Sequence, residues 1–170
     1  MHPTLLLAKS QPLALNYWKA QLEEAGYTVL PFCKKASDWL SVIRQTKPYL
    51  LFIEATFANN TGLELVRQTR LLHPATRCVV CVPALPAYYL KAIEVDASGY
   101  LPDNIGDPAE VLHCFEQVGQ GYRYISPIFS AVLPLPPSRN KKRSMRYLTV
   151  IGRYCALSPR DIRPGRLVSN

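Results

Sequence analysis

Glu54 closes an apolar run, Tyr49 to Ile53, and is followed by a polar loop, Ala58-Asn59-Asn60-Thr61-Gly62, that leads into a helical pattern. A run without alternation reads as a strand buried on both faces. A carboxylate at the C-terminal end of such a strand stands where open α/β sheets collect ligand chemistry. The other candidates for chemistry are weaker. Cys78 and Cys81 have CxxC spacing but lie inside "RCVVCV", an apolar strand-like run. Residues three apart on a strand diverge to opposite faces, so the pair reads as buried reduced thiols rather than a zinc or redox site. Cys33, Cys114 and Cys155 complete an odd count of 5. His2, His73 and His113 lie at the terminus, at a helix end beside Pro74 and on a helix, with no acid or nucleophile evidently placed to use them. No catalytic constellation emerges, and no enzyme activity or small-molecule substrate is expected.

The elements that position Glu54 follow from periodicity. Thr4 to Ala8 reads as a first strand, and Leu13 to Ala25 as a helix with Leu13, Tyr17, Leu22 and Ala25 inward and Gly26 as its stop. "YTVLPF" is a short second strand, and Ser37 an N-cap for a helix to about Gln45. After the Glu54 strand, Thr61 caps a helix to about Leu72 with Leu63, Val66 and Leu71 on its inner side. "RCVVCV", Pro86 to Val95, "SGYL" and a helix opened by Asp107-Pro108 complete the alternation, and a short helix begins near Ser126. Five strand–helix units in about 120 residues imply a doubly wound parallel sheet covered on both faces, with the flavodoxin-like order 2-1-3-4-5.

Charge divides the chain. Residues 1–135 hold 11 Lys+Arg against 11 Asp+Glu, whereas residues 136–170 hold 9 basic residues and Asp161 alone, which accounts for the net +8. The expectation is a neutral domain with a basic tail. No apolar run approaches the ~20 residues of a membrane span, and "MHPTLLLAKSQ" lacks a signal-peptide core. A soluble, cytoplasmic protein is expected.

Three blocks then carry a resemblance. "KPYLLFIEATFANNTGLELVRQTRLLHP", "AIEVDASGYLPDN" and "QVGQGYRYISPIFSAVL", in this order, resemble the receiver (CheY-like) domain of two-component response regulators, closest to the subclass with a LuxR-type (LuxR/NarL) helix-turn-helix. The resemblance divides the chain into a receiver-like domain (1–124), a short helix and basic linker (125–146), and a remnant or start of the helix-turn-helix region (147–170). It implies phosphorelay chemistry: two acids after the first strand holding Mg²⁺, an aspartate nucleophile ending the third, a hydroxyl after the fourth and a lysine after the fifth.

At those positions this chain departs from the family. The acid pair is replaced by Lys9 and Ser10, the nucleophile by Glu54 and the lysine by Asp103. The hydroxyl position falls on Cys81, Val82 or Pro83, none of which bears a hydroxyl, and only Tyr100, the switch aromatic, keeps the family type. A hard cation wants several oxygens and no competing ammonium, so Mg²⁺ binding is not expected. Two readings of the charges stand open: Lys9 sits between Glu54 and Asp103 as an internal ion pair, or all three face solvent.

In the tail, "LSPRD" (157–161) is similar to the opening of the LuxR-type DNA-binding domain, but Pro164-Gly165 follow within about two turns. A DNA-reading helix of that family is therefore not expected within these residues. The resemblance therefore implies an atypical, pseudo-receiver response regulator in two-component signal transduction, independent of phosphorylation and acting through a homodimer or another regulatory protein, with Tyr88, Tyr89 and Tyr100 either interface anchors near the face of the fourth and fifth elements or packing residues. The alternative is transcription regulation by weak, sequence-independent DNA contact through Arg139, Lys141, Lys142, Arg143 and Arg146.

Overall fold

The computed structural model describes residues 3–30 and 38–132. His2, Cys33, Ser37, Cys155, the "LSPRD" segment and the candidate phosphate contacts Arg139, Lys141, Lys142, Arg143 and Arg146 lie outside the described residues. The elements alternate as β1 (Thr4–Ala8), α1 (Pro12–Glu24), β2 (Thr28–Leu30), α2 (Trp39–Thr46), β3 (Leu50–Glu54), α3 (Phe57–Asn60) and α4 (Gly62–Leu72). They continue as β4 (Arg77–Val82), α5 (Pro86–Glu94), β5 (Gly99–Pro102), α6 (Pro108–Gly119), β6 (Tyr124–Ile125) and α7 (Pro127–Val132).

All strands pair in parallel, in the order β2-β1-β3-β4-β5-β6. The first five keep the order expected of a flavodoxin-like sheet. The sixth is an addition that two apolar residues are too short to announce by period. Gly121, at φ 87°, turns the chain after α6. The ladder then closes by Tyr124 N–H donating to the Ser98 carbonyl and Ser126 N–H to that of Tyr100.

The period of two along each strand sorts the side chains into two cores. Leu6, Leu51, Ile53, Val80 and Tyr100 face one side, where they meet Trp39 and Ile43 of α2, Val66 of α4, Tyr89 of α5 and Phe129 of α7. Leu5, Leu7, Phe52, Cys81 and Leu101 face the other, against Trp18 and Leu22 of α1 and Phe115 and Val118 of α6. Cys78 and Cys81 accordingly lie in different cores, and burial pushes the Cys78 thiol up to about 12 against the opposing pull of Arg70.

Four inward assignments, those of Leu13, Tyr17, Ala25 and Leu71, are corrected, Ala25 being an exposed residue just past the end of α1. Leu13 is 84% exposed, and Tyr17 also faces outward. Trp18 and Leu22, four apart, bury more surface than Leu13 and Tyr17 could and so set the phase of α1. On α4, Leu71 faces water and Thr69 is buried instead. Its hydroxyl accepts from Trp39 Nε1 at 3.0 Å and donates to the Leu65 carbonyl at 2.7 Å, which satisfies a polar group inside the core. Thr61 does precede α4, but its hydroxyl turns back to the Ala58 carbonyl at 2.9 Å rather than capping the helix.

Candidate functional site

Strand parity assembles the site. Lys9 continues the Leu5–Leu7 face past the end of β1, Glu54 continues the Leu50–Phe52 face at the end of β3, and Cys81 lies beside Glu54 in register. Three side chains from three adjacent strands therefore meet on one face at the C-terminal edge of the sheet. Lys9 is buried, with 2% of its side chain exposed, and its Nζ lies 3.6 Å from Glu54 Oε1. The ammonium donates to Cys81 Sγ at 3.1 Å and sits 4.4 Å from the centre of the Phe52 ring. Glu54 stays at the rim, 14% exposed, and its Oε2 accepts the Ser10 backbone N–H at 2.9 Å. Ser10 thus contributes its amide rather than its hydroxyl.

Below the ammonium the floor is aromatic. Phe52 meets Trp18 edge-on at 5.8 Å and Phe115 at 5.3 Å, so the charge rests on a packed apolar wall. Burial pushes the Cys81 thiol up, while the adjacent Lys9 ammonium pulls the other way. The thiol is a desolvated, protonated neighbour of a charge and not an activated nucleophile.

The remaining positions divide. Asp103 is exposed and forms no ion pair among the described residues, so the expectation that Lys9 bridges two acids is corrected to one. Its backbone N–H is held by the Val82 carbonyl at the end of β5, and from there the short side chain turns to water. Val82 belongs to the opposite core and Pro83 lies beyond the strand, so of the three candidates for the hydroxyl position only Cys81 joins Lys9. Tyr100 is buried in the opposite core, edge-on to Tyr89 at 6.1 Å. Tyr89 is buried too, stacked on Phe129 at 4.8 Å, so of its two readings it is a packing residue. Tyr88 is half-buried against the same core. Of the histidines, His73 pairs with Thr76 Oγ1 at 2.9 Å and the His113 ring meets Tyr124.

The loop after Glu54 folds tightly over the strand end, a feature that residue types do not announce. Ala58, Asn59 and Asn60 all take left-handed conformations, with φ of 48°, 60° and 66°. This turn drops the start of α4 onto the backbone of Glu54. A Cβ at Gly62 would lie 2.0 Å from the Glu54 carbonyl oxygen and 2.8 Å from that of Ala55. Backbone atoms on both sides leave no flexible group to give way, so Gly62→Ala is expected to cost about 3 kcal/mol, at the upper end of overpacking. Urea unfolding checks it, and a change below about 1 kcal/mol would show that the loop is not pinned there.

These residues do not fit a hard divalent cation. One rim carboxylate, an exposed second acid and a thiol do not supply the oxygens that Mg²⁺ takes, and a fixed ammonium already stands beside Glu54. Among the described residues there is no group of three or more His, Cys, Asp or Glu able to hold a metal.

A five-strand 2-1-3-4-5 core with charged residues at or just past the ends of β1, β3 and β5 is a flavodoxin-like sheet with its charges at the C-terminal edge, the arrangement that receiver domains also have. Comparison with solved structures agrees: the domain matches a receiver of the LuxR/NarL type. A LuxR-family two-component response regulator from Aurantimonas sp. SI85-9A1 is 26% identical, with a TM-score of 0.67 over 77% of this chain and 94% of that one. The isolated receiver domain of RcsB from Salmonella enterica serovar Typhimurium, with the phosphomimetic BeF3-, is 14% identical, with a TM-score of 0.69 over 79% and 100%. The RcsB chain in a structure of two dimers bound to two parallel DNAs is 15% identical, with a TM-score of 0.68 over 93% and 85%. No family model matches the chain, and no curated protein does.

Proposed function

We propose that this domain is a pseudo-receiver, in which a fixed internal ion pair stands in place of the phosphorylation switch and which acts through protein contacts. The observation that carries this reading is the buried Lys9 ammonium 3.6 Å from Glu54. An ammonium there supplies permanently the charge neutralisation that a metal ion supplies transiently in a phosphotransfer site. Glu54, already engaged by Lys9 and by the Ser10 amide, is poorly placed to act as an acceptor. No Mg²⁺ requirement and no enzymatic turnover belong to this reading.

The contacts available for a homodimer or another regulatory protein are apolar side chains outside the core. Leu85 just before α5, Leu90 of α5, and Leu13 and Tyr17 of α1 are all exposed. Among the described residues no helix is long and apolar enough to cross a membrane. The alternative, a regulator with weak sequence-independent DNA contact, rests on the charge of residues 136–170 alone.

The test is incubation of the full chain with Mg²⁺ and beryllofluoride, followed through Trp18 fluorescence and amide chemical shifts, together with intact mass after a small phosphodonor. No saturable shift and no mass gain are expected. A Mg²⁺-dependent adduct at Glu54 sinks the proposal.

A further inference from the structure

The β5 edge of the sheet carries a second device, built from the residues after α6. Residues 123–129 are tied across the β5 edge at three places. At the first, the Arg123 guanidinium pairs with Asp96, which also holds Arg70 at 3.0 Å. At the second, Glu110 of α6 accepts from Ser126 Oγ at 2.6 Å and from Tyr124 Oη at 3.3 Å through one oxygen, Oε1. At the third, Phe129 lies nearly parallel to Tyr89, at 4.8 Å and 15°, and Tyr89 in turn stands edge-on to Tyr100. Between the ties run the two ladder bonds from Tyr124 and Ser126 to β5.

The ties differ in kind from the body they hold. β6 has only 2 residues and α7 only 6, so neither element holds itself by its own hydrogen bonds. Two of the three ties are polar and partly exposed, and the third is a single aromatic stack. A segment attached in this way opens as a unit at lower cost than the sheet beneath it. Asp96 holds a left-handed backbone, φ 55°, in the loop before β5, so its carboxylate is presented from a turn and not from a helix face.

We propose that β6 and α7 form a strap that holds Tyr89 and Tyr100 inward, and that release of this strap is the conformational transition open to the domain. In a receiver whose phosphoacceptor end is fixed by Lys9, the movable end is the aromatic one. The ties include none of Lys9, Glu54 or Cys81. A beryllofluoride adduct at Glu54 therefore ends the fixed-pair reading without touching the strap, and the converse holds as well.

The experiment uses the full chain and two variants, Phe129→Ala and Asp96→Asn. Asparagine tolerates the left-handed turn at residue 96 while removing the charge that holds Arg123. Hydroxyl-radical labelling of Tyr89 and Tyr100 and tryptic cleavage after Arg123 report the strap, and amide exchange in β3 reports the body. In Phe129→Ala, both tyrosine labelling and cleavage are expected to rise on the order of a hundredfold, the equilibrium shift that loss of a packed aromatic ring produces. In Asp96→Asn, cleavage after Arg123 rises by less, and in both variants β3 exchange stays as in the parent. Tyrosines that remain protected in both variants overturn the strap. So does labelling that appears only where β3 exchange is lost to the same extent, since the segment would then open only with the whole domain.

Discussion

Glu54→Gln is expected to destabilise the domain by about 3 kcal/mol, and Lys9→Met by only about 1 kcal/mol, although the two residues form one pair. The asymmetry follows from where each charge is left. With Glu54 neutral, the Lys9 ammonium remains almost fully buried against Phe52 and Cys81 with no counter-ion. With Lys9 removed, the Glu54 carboxylate keeps the Ser10 amide and turns its exposed rim to water. The attraction at this separation is worth roughly 4 kcal/mol at an effective dielectric of about 20. Desolvation of the two groups costs a similar amount, so the pair as a whole contributes little.

The double variant Lys9→Met/Glu54→Gln therefore returns to within about 1 kcal/mol of the parent. Urea unfolding of the four proteins measures the cycle. Additive losses in the double variant would mean that the two side chains do not interact, and a Lys9→Met cost exceeding that of Glu54→Gln would mean that the buried charge is the carboxylate. The pair is thus better read as fixing an arrangement than as stabilising the fold.

Much of this arrangement was legible in the chain. Strand parity alone puts Lys9, Glu54 and Cys81 on one face once the three apolar runs are recognised as neighbours, because each stands at or near the end of its run and keeps its phase. The order of those runs is the flavodoxin-like one that five right-handed strand–helix units fit. Depth was less accessible. Asp103 shares the phase of Leu101, yet its short side chain leaves the strand end for water, and period says nothing about how far a side chain reaches.

Whether Tyr89 packs or faces a partner was undecided in the chain for a different reason. What covers it is Phe129, contributed by a segment 40 residues later through a strand too short to carry a period. The phase of α1 was misjudged because Leu13 and Tyr17 keep helical spacing as well as Trp18 and Leu22 do, and only the volume available on the sheet decides between them. Gly62 illustrates a third limit. Its glycine type suggested a loop end, whereas the structure requires it because two backbone carbonyls occupy the space a side chain would need.

If the ammonium is what closes this site to metal, then exchanging the acceptor alone must fail. Glu54→Asp shortens the carboxylate to the family length but leaves Lys9 in place, and it is expected to show no saturable response to Mg²⁺. In Lys9→Asp/Ser10→Asp/Glu54→Asp, three carboxylates converge at the ends of β1 and β3 with no cation among them. Their mutual repulsion lowers stability without metal, and a bound Mg²⁺ relieves it. At a hundredfold excess over its Kd, the ion then stabilises this variant by about 2.7 kcal/mol. Thermal unfolding with and without Mg²⁺, and Trp18 fluorescence across the titration, read the two effects separately, because Trp18 packs on the Phe52 ring beneath the site. Ca²⁺, larger and more tolerant of coordination geometry, serves as the comparison ion. Saturable Mg²⁺ binding by Glu54→Asp alone would show that Lys9 does not exclude metal. A triple variant that folds but does not respond to Mg²⁺ would show that the sheet ends no longer have the geometry to hold it. The expected outcome lies between these: the scaffold can still hold a cation once Lys9 is gone, and one buried ammonium keeps it out.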